Sequence, residues 1–220
     1  MAENNPARKV VTPPFRMSFP SLLEPREDEE SGRKTYQLSM LFPPKTDMTK
    51  FKLALRAAMS DKFGDDDKKW PRCKRGTKEV IRDFGEYNAG TKKPLKGDWS
   101  GWIMVRANCS DKYAPGVVGS VRGPDGKFPR VTDLREVYGG RWACAVIDAY
   151  HFEGKKNDGV TFGLKNVQLL KHDTNFARAQ SAPEEDFEDA SEEWSGQGDA
   201  FERGGNGPGG GGNATASDWG

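Results

Sequence analysis

The sequence predicts a mainly β domain, a small Greek-key barrel or sandwich with one helix, followed by a disordered acidic tail. Three observations carry that prediction. Short alternating apolar–polar stretches recur along the first 170 residues, separated by Gly/Pro/Asn/Asp turns. Only one stretch has helical spacing. Near residue 180 the composition changes abruptly.

Residues 33–42 place Tyr36, Leu38, Met40 and Phe42 on one face and Thr35, Gln37, Ser39 and Leu41 on the other, as in a half-buried strand. Pro43-Pro44 ends it, because proline cannot donate to a ladder. Asp47 is then a helix N-cap, and Met48, Phe51, Leu55, Ala58, Met59 and Lys62 follow at helical spacing until Gly64. A helix of about four turns is expected over 47–63, its apolar stripe packed on a sheet. Residues 65–97 are polar, basic and rich in turn residues. Strand character returns at 101–109 and briefly at Val117-Val118 and Val121. Gly139-Gly140 opens a long strand, 141–152, whose face of Ala143, Ala145, Ile147 and Ala149 is small enough for close packing. Asn157-Asp158-Gly159 reads as a turn, and a last strand runs from Gly159 to Leu170. Gly163, between apolar strand residues, predicts a bulge or bend that helps a barrel close. No βαβ alternation occurs, which disfavours a doubly wound sheet. The expected domain limits are a flexible leader at 1–9, a body at 10–175 and a disordered tail at 176–220.

Charge divides the chain in the same place. Residues 181–220 hold ten carboxylates (Glu184, Glu185, Asp186, Glu188, Asp189, Glu192, Glu193, Asp199, Glu202 and Asp218) against Arg203 alone. The formal net charge of +1 therefore hides a body near +10 and a tail near −9. A basic body with an acidic tail points to a protein that binds a polyanion and carries its own mimic of one. Phe187, Trp194 and Phe201 recur every seven residues, and Trp219 stands beside the C-terminus, so the tail repeats the pattern of phosphates and bases.

Enzyme motifs are missing. There is no G-x-x-x-x-G-K-[ST], H-E-x-x-H or G-x-S-x-G sequence, so no catalytic residues and no cofactor are expected. Cys73, Cys109 and Cys144 are widely spaced and odd in number, which fits reduced thiols rather than a zinc site. Asp65-Asp66-Asp67 reads as a solvated loop rather than a metal site. The longest apolar run, Trp142–Ile147, is far short of the ~20 residues of a membrane span, and no signal peptide is evident.

The binding signal lies where cations and flat rings interleave. Lys69, Trp70, Arg72, Lys74, Arg75, Tyr87, Lys92, Lys93, Lys96, Trp99 and Arg106 form one run; Tyr113, Arg122, Lys127, Phe128 and Arg130 extend it. Cations neutralise phosphates and release counterions. Aromatic faces stack on unpaired bases with little sequence preference. Trp70, Tyr87 and Trp99, set among Lys, Arg, Gly and Pro, are expected to be exposed; Trp102 and Trp142 are expected in the core.

The chain resembles the single-stranded DNA-binding proteins of tailed bacteriophages. The resemblance rests on Tyr36-Gln37-Leu38-Ser39-Met40-Leu41-Phe42-Pro43, on Gly97-Asp98 leading into Gly101-Trp102, and on Val137-Tyr138-Gly139-Gly140. Its most specific block is Gly159-Val160-Thr161-Phe162-Gly163-Leu164-Lys165-Asn166-Val167-Gln168, close to the family's G-V-x-F-G-L-x-x-V-Q ending. The Gly-rich stretch between Gly204 and Gly212 departs from the family's pattern. The resemblance implies an OB-fold and sequence-independent binding of single-stranded DNA. It implies a role in phage replication and recombination in the cytoplasm of the infected bacterial host, with the acidic tail, through Phe187, Trp194, Phe201 and Trp219, competing with DNA and recruiting replication or recombination proteins. A monomer or homodimer without membrane association is expected. Two other classes compete: an adaptor acting through its acidic tail, and a metal-dependent nuclease.

Overall fold

A computed structural model describes residues 5–29, 32–92, 94–154 and 158–176. Eight strands form the sheet: β1 (Lys9–Val11), β2 (Phe15–Glu27), β3 (Lys34–Phe42), β4 (Ile81–Asp83), β5 (Ile103–Ser110), β6 (Gly116–Val118), β7 (Trp142–Glu153) and β8 (Asp158–Leu169). Three helices accompany them: α1 (Thr49–Phe63), α2 (Thr77–Val80) and α3 (Phe84–Ala89).

Five strands close on themselves. The ladder runs β2–β3–β5–β8–β7 and returns from β7 to β2 through Phe15↔Ala143 and Arg16↔Trp142. All of these pairs are antiparallel except β5–β8, where Ala107↔Phe162 and Asn108↔Gly163 are parallel. A closed five-stranded barrel of this kind is the OB-fold. β1 extends β7, while β4 and β6 add to β5 and β8.

The barrel interior is filled by alternate residues of each strand. Leu38, Met40, Phe42, Val105, Ala107, Ala143, Ala145, Ile147, Ala149, Phe162, Leu164 and Val167 are buried in one cluster. The small face of β7 is buried as its composition implied, and α1 packs on it with Phe51, Ala54, Leu55, Ala58 and Met59. Edge-to-face contacts link Phe15, Phe42, Phe51 and Phe162 across barrel and helix. The N-cap of α1 is Met48 rather than the expected Asp47. Asp47, one residue earlier, accepts from the Thr49 side chain and, at 2.8 Å, from its amide, and these bonds lower the Asp47 pKa. Gly64 ends the helix.

Several expectations need correction. The leader at 1–9 holds a 3-10 turn, Pro6–Arg8, and the start of β1. The long strand β2 escaped notice because Pro20 and Pro25 interrupt it, and its ladder shifts register between Ser18 and Ser21 and again before Arg26. Residues 65–97, read as loop, contain α2, β4 and α3. Strand β3 is buried on both faces at its end, since Leu41 enters a second cluster with Phe84, Trp99 and Met104. The bulge in β8 is not at Gly163: Ile147 pairs with Leu164 and Val146 with Asn166, so Lys165 is the extra residue. Phe176, placed in the tail by composition, packs against Trp99 with ring centroids 5.3 Å apart. Lys93 and the tail residues Phe187, Trp194, Phe201 and Trp219 lie outside the described residues.

Candidate nucleic-acid interface

The outer faces of β3 and β5 form a floor of cross-strand rows. Leu41 pairs with Met104, Ser39 with Arg106, Gln37 with Asn108 and Thr35 with Ser110. The first row is covered by the second cluster, where α3 and the segment around Trp99 pack down. The next three rows are polar; Arg106 and Asn108 are exposed, Thr35, Gln37 and Ser110 half-buried, and Ser39 is buried.

Three guanidiniums meet at the edge of this floor. Arg82, on β4, is tied by its Nε to the Glu79 carbonyl at 2.7 Å. Arg106 Nη2 donates to the Tyr87 hydroxyl at 2.5 Å. Both cations lie against the Tyr87 ring, 5.9 and 5.0 Å from its centroid, and Phe84 stacks with that ring at 6.4 Å. Arg75 is the third. Burial, then the charges of Arg82 and Arg106, push its pKa below the ordinary guanidinium value, and its buried Nε has no partner among the described residues. Glu79 offsets these two charges in part, and a bound anion would offset them further.

A glycine at the start of β8 places Arg75. Gly159 has φ +148°, and a Cβ there would run into the Arg75 carbonyl. That close approach lets the Arg75 amide donate to Asp158 O and its carbonyl accept from Val160 N, both at 3.0 Å. Gly140, in the Val137-Tyr138-Gly139-Gly140 block, has φ +108° and leaves room for the Thr174 carbonyl. There the segment 171–176 straps across the body: Arg16 Nη2 donates to Thr174 O at 2.9 Å, Trp142 Nε1 to Asp173 Oδ2 at 2.7 Å, and the Phe176 amide to Gly139 O at 2.8 Å.

The expected site residues fall into separate groups. Arg75, Tyr87 and Arg106 come together. Lys69 is exposed and paired with Asp66 at 3.2 Å. Trp70 is half-buried, not free: its Nε1 donates to the Gly64 carbonyl at 2.7 Å and Arg56 lies 5.7 Å from its ring. Arg72 and Lys74 are exposed on the segment that leads to Arg75. Lys92 and Lys96 sit on a loop pinned by Asn88, whose side chain bonds both the amide and the carbonyl of Leu95. Trp99 corrects the expectation of exposure. It is 7% exposed and stands edge-on to Phe84, Trp102 and Phe176. Trp102 and Trp142, expected in the core, are half-buried. Tyr113 is 75% exposed in the turn between β5 and β6. Arg122, Lys127, Phe128 and Arg130 share a loop returning along β6, with Arg122 over the Phe128 ring at 4.2 Å.

Among the described residues no group of three or more His, Cys, Asp or Glu could hold a metal. Asp66 caps the turn at Asp67–Lys69 and Asp67 pairs with Arg56 at 2.9 Å, so the Asp65–Asp67 run has structural work.

Arg82, a cation of the same interleaved segment, neighbours Tyr87. Two residues near the floor were missed by the sequence reading. Tyr150, on the outer face of β7, approaches the position of the absent Gly163 side chain; burial raises its pKa while Arg33 and Arg75 oppose that rise. Its parity with Cys144 and Asp148 was a usable signal. Phe19 lies at the β2 register shift, in a pocket shared with Gln37, Ser39 and Arg106. Its alternation with Phe15 and Met17 reads as core, and only the shift turns it out.

A family model described as Enterobacter phage Enc34, ssDNA-binding protein, matches residues 8–197. The chain belongs to that family. It is a family of phage DNA-binding proteins, not of enzymes. Solved structures of the bacteriophage Enc34 protein share the fold. The form in complex with ssDNA aligns at TM-score 0.58 and 20% identity, covering 78% of this chain and 90% of that one. The C-terminal truncation aligns at 0.54 and 19%, covering 77% and 88%. A further structure of that protein gives 0.54 and 18%, covering 80% and 88%. No curated protein sequence matches the chain.

Proposed function

We propose that this phage protein binds single-stranded DNA without sequence preference across the outer face of β3 and β5, and serves phage replication and recombination in the host cytoplasm. The observation that carries the reading is the pair Arg82 and Arg106 on the Tyr87 ring, with Arg75 close enough to feel both charges, beside a polar floor. Like charges packed at the edge of a groove repel one another, and a backbone phosphate relieves that repulsion. Tyr87, already held by two cations and Phe84, is positioned as a stacking surface with little ordering left to lose. Lys69, Arg72, Lys74, Lys92, Lys96 and the Arg122–Arg130 loop add further cations for the backbone, and Trp70 and Tyr113 further rings; Trp99 packs beneath with Phe84. Lys93 is a candidate by sequence alone. The Enc34 relative, captured with ssDNA, supports the same reading.

The acidic tail competes for this groove when DNA is absent and recruits replication or recombination proteins when DNA displaces it. Its ten carboxylates mimic phosphates, and Phe187, Trp194, Phe201 and Trp219 mimic bases. Fluorescence anisotropy tests both parts, with oligo-dT, duplex DNA and RNA titrated into the full chain and a 181–220 deletion at two salt concentrations. The expected result is preference for single strands, affinity that falls with salt, and tighter low-salt binding after deletion. Equal affinity with and without the tail would refute competition. A tail-less body that binds no oligonucleotide would refute the DNA-binding reading and favour an adaptor working through its tail.

A further inference from the structure

Phe19 is held in a conformation that its chemistry opposes. Its φ is +46°, in the left-handed region, although it is a bulky residue and is followed by Pro20, which favours extended backbone before it. It is also 61% exposed, so the strain is not repaid by burial. The cause is the register shift in β2. Ser18 pairs with Ser39 and Ser21 with Gln37, leaving Phe19 and Pro20 opposite Leu38 alone. Backbone strain that the surroundings maintain, and that burial does not reward, points to a role in binding.

The ring lines a pocket of about 280 Å³ with Arg26, Gln37, Ser39, Arg106 and Asn108. Gln37 and Asn108 are cross-strand partners, so two neutral amides lie side by side on the floor. Each carries donors and an acceptor that match the edge of a nucleobase. Arg106 links this pocket to Tyr87. A flat apolar ring, a floor of mixed donors and acceptors, and cations at the rim make a receptor for one unpaired base and its phosphate.

The geometry points to a single-nucleotide pocket in which one base, turned out of the strand, stacks on Phe19 and presents its edge to Gln37 and Asn108, with its phosphate at Arg106 or Arg26. This deepens the proposed DNA-binding reading and rests on it. The mixed donor and acceptor floor accepts any base, so the pocket fixes where a nucleotide sits without fixing which one.

Phe19→Gly is the test, because glycine adopts φ +46° without strain. Three quantities are compared between the full-length protein and the variant: melting temperature, affinity for oligo-dT, and affinity for an abasic deoxyribose-phosphate oligomer of equal length. The pocket requires a melting temperature that is unchanged or higher. It requires oligo-dT binding weaker by about fivefold to 150-fold, the range for one lost base–aromatic stack. It also requires unchanged binding of the abasic oligomer. Unchanged oligo-dT affinity would overturn the pocket, and so would an equal loss on the abasic oligomer, since the ring would then be acting on the backbone. A fall in melting temperature that accounts for the lost binding would make Phe19 a structural residue. If the unaltered protein bound no oligo-dT at all, the DNA-binding reading itself would fall, which is a separable result.

Discussion

At the scale of single residues, the same two chemistries serve different ends, and neighbours decide which. Trp99 and Tyr87 sit in one polar, glycine-rich stretch, yet Trp99 is enclosed by Phe84, Trp102 and Phe176 while Tyr87 faces Arg82 and Arg106. Local composition could not separate them, because the partners include Arg106 on β5 and Phe176 on the strap, which only the fold brings in. Substitution does separate them. Arg106→Ala removes a repelling charge along with the bond to Tyr87, so stability should be unchanged or slightly raised while oligo-dT binding weakens. It should also reduce the slope of log affinity against log salt by about 0.7, the value for one phosphate contact on a single strand. Trp99→Ala should lower unfolding free energy in urea by about 3–5 kcal/mol, as for other large-to-small core changes. Its binding should then fall only as far as the folded fraction falls. An unchanged salt slope in Arg106→Ala would remove that residue from the phosphate path.

At the scale of elements, legibility followed periodicity. Strands β3, β7 and β8 and helix α1 keep a regular pattern over nine or more residues, and each was predicted near its observed limits. Strand β2 is longer than these strands but carries two prolines and two register shifts, which destroy the alternation. The strap at 171–176 has no pattern because its order comes from contacts rather than from regular backbone. Asp173 is its main anchor. The hydrogen bond from Trp142, then that from the Thr174 amide, hold its carboxyl below the usual range, with Arg16 and Lys171 adding to the effect. A depressed folded pKa means that the anchoring is fully present above the unfolded value of about 3.9 and is lost as pH falls through the lower folded value. The stability difference between the unaltered protein and Asp173→Asn should therefore be constant above about pH 5 and shrink below about pH 4. Denaturant melts of both forms at pH 7, 5, 4 and 3 check this. A difference independent of pH would show that the charge of Asp173 does not hold the strap.

At the scale of the whole molecule, the proposed interface borders β5–β8, one of two short seams in the barrel, the other being β2–β7. The β5–β8 seam is held by two parallel pairs, Ala107↔Phe162 and Asn108↔Gly163, whereas β7–β8 and β3–β5 are paired along most of their lengths. A short seam opens at lower free energy than the long ladders beside it. Asn108 belongs to both seam and groove floor, and Arg75 is fastened to the start of β8 through Asp158 and Val160. This coupling between sites more than fifty residues apart in the chain is the part of the interface least legible in the sequence, since only closure of the barrel brings them together. A strand of DNA spanning β3, β5 and the Arg75 segment would clamp the seam, and local opening would become rarer by the factor that binding adds. Hydrogen exchange with and without saturating oligo-dT reads this out. Protection should rise in peptides covering 35–39, 104–110 and 159–164, while the first half of α1, buried against β7, should exchange at the same rate in both states. Uniform protection over the chain would indicate general stabilisation by the bound strand, and protection confined to the loop at 122–130 would move the binding path off the β3–β5 floor.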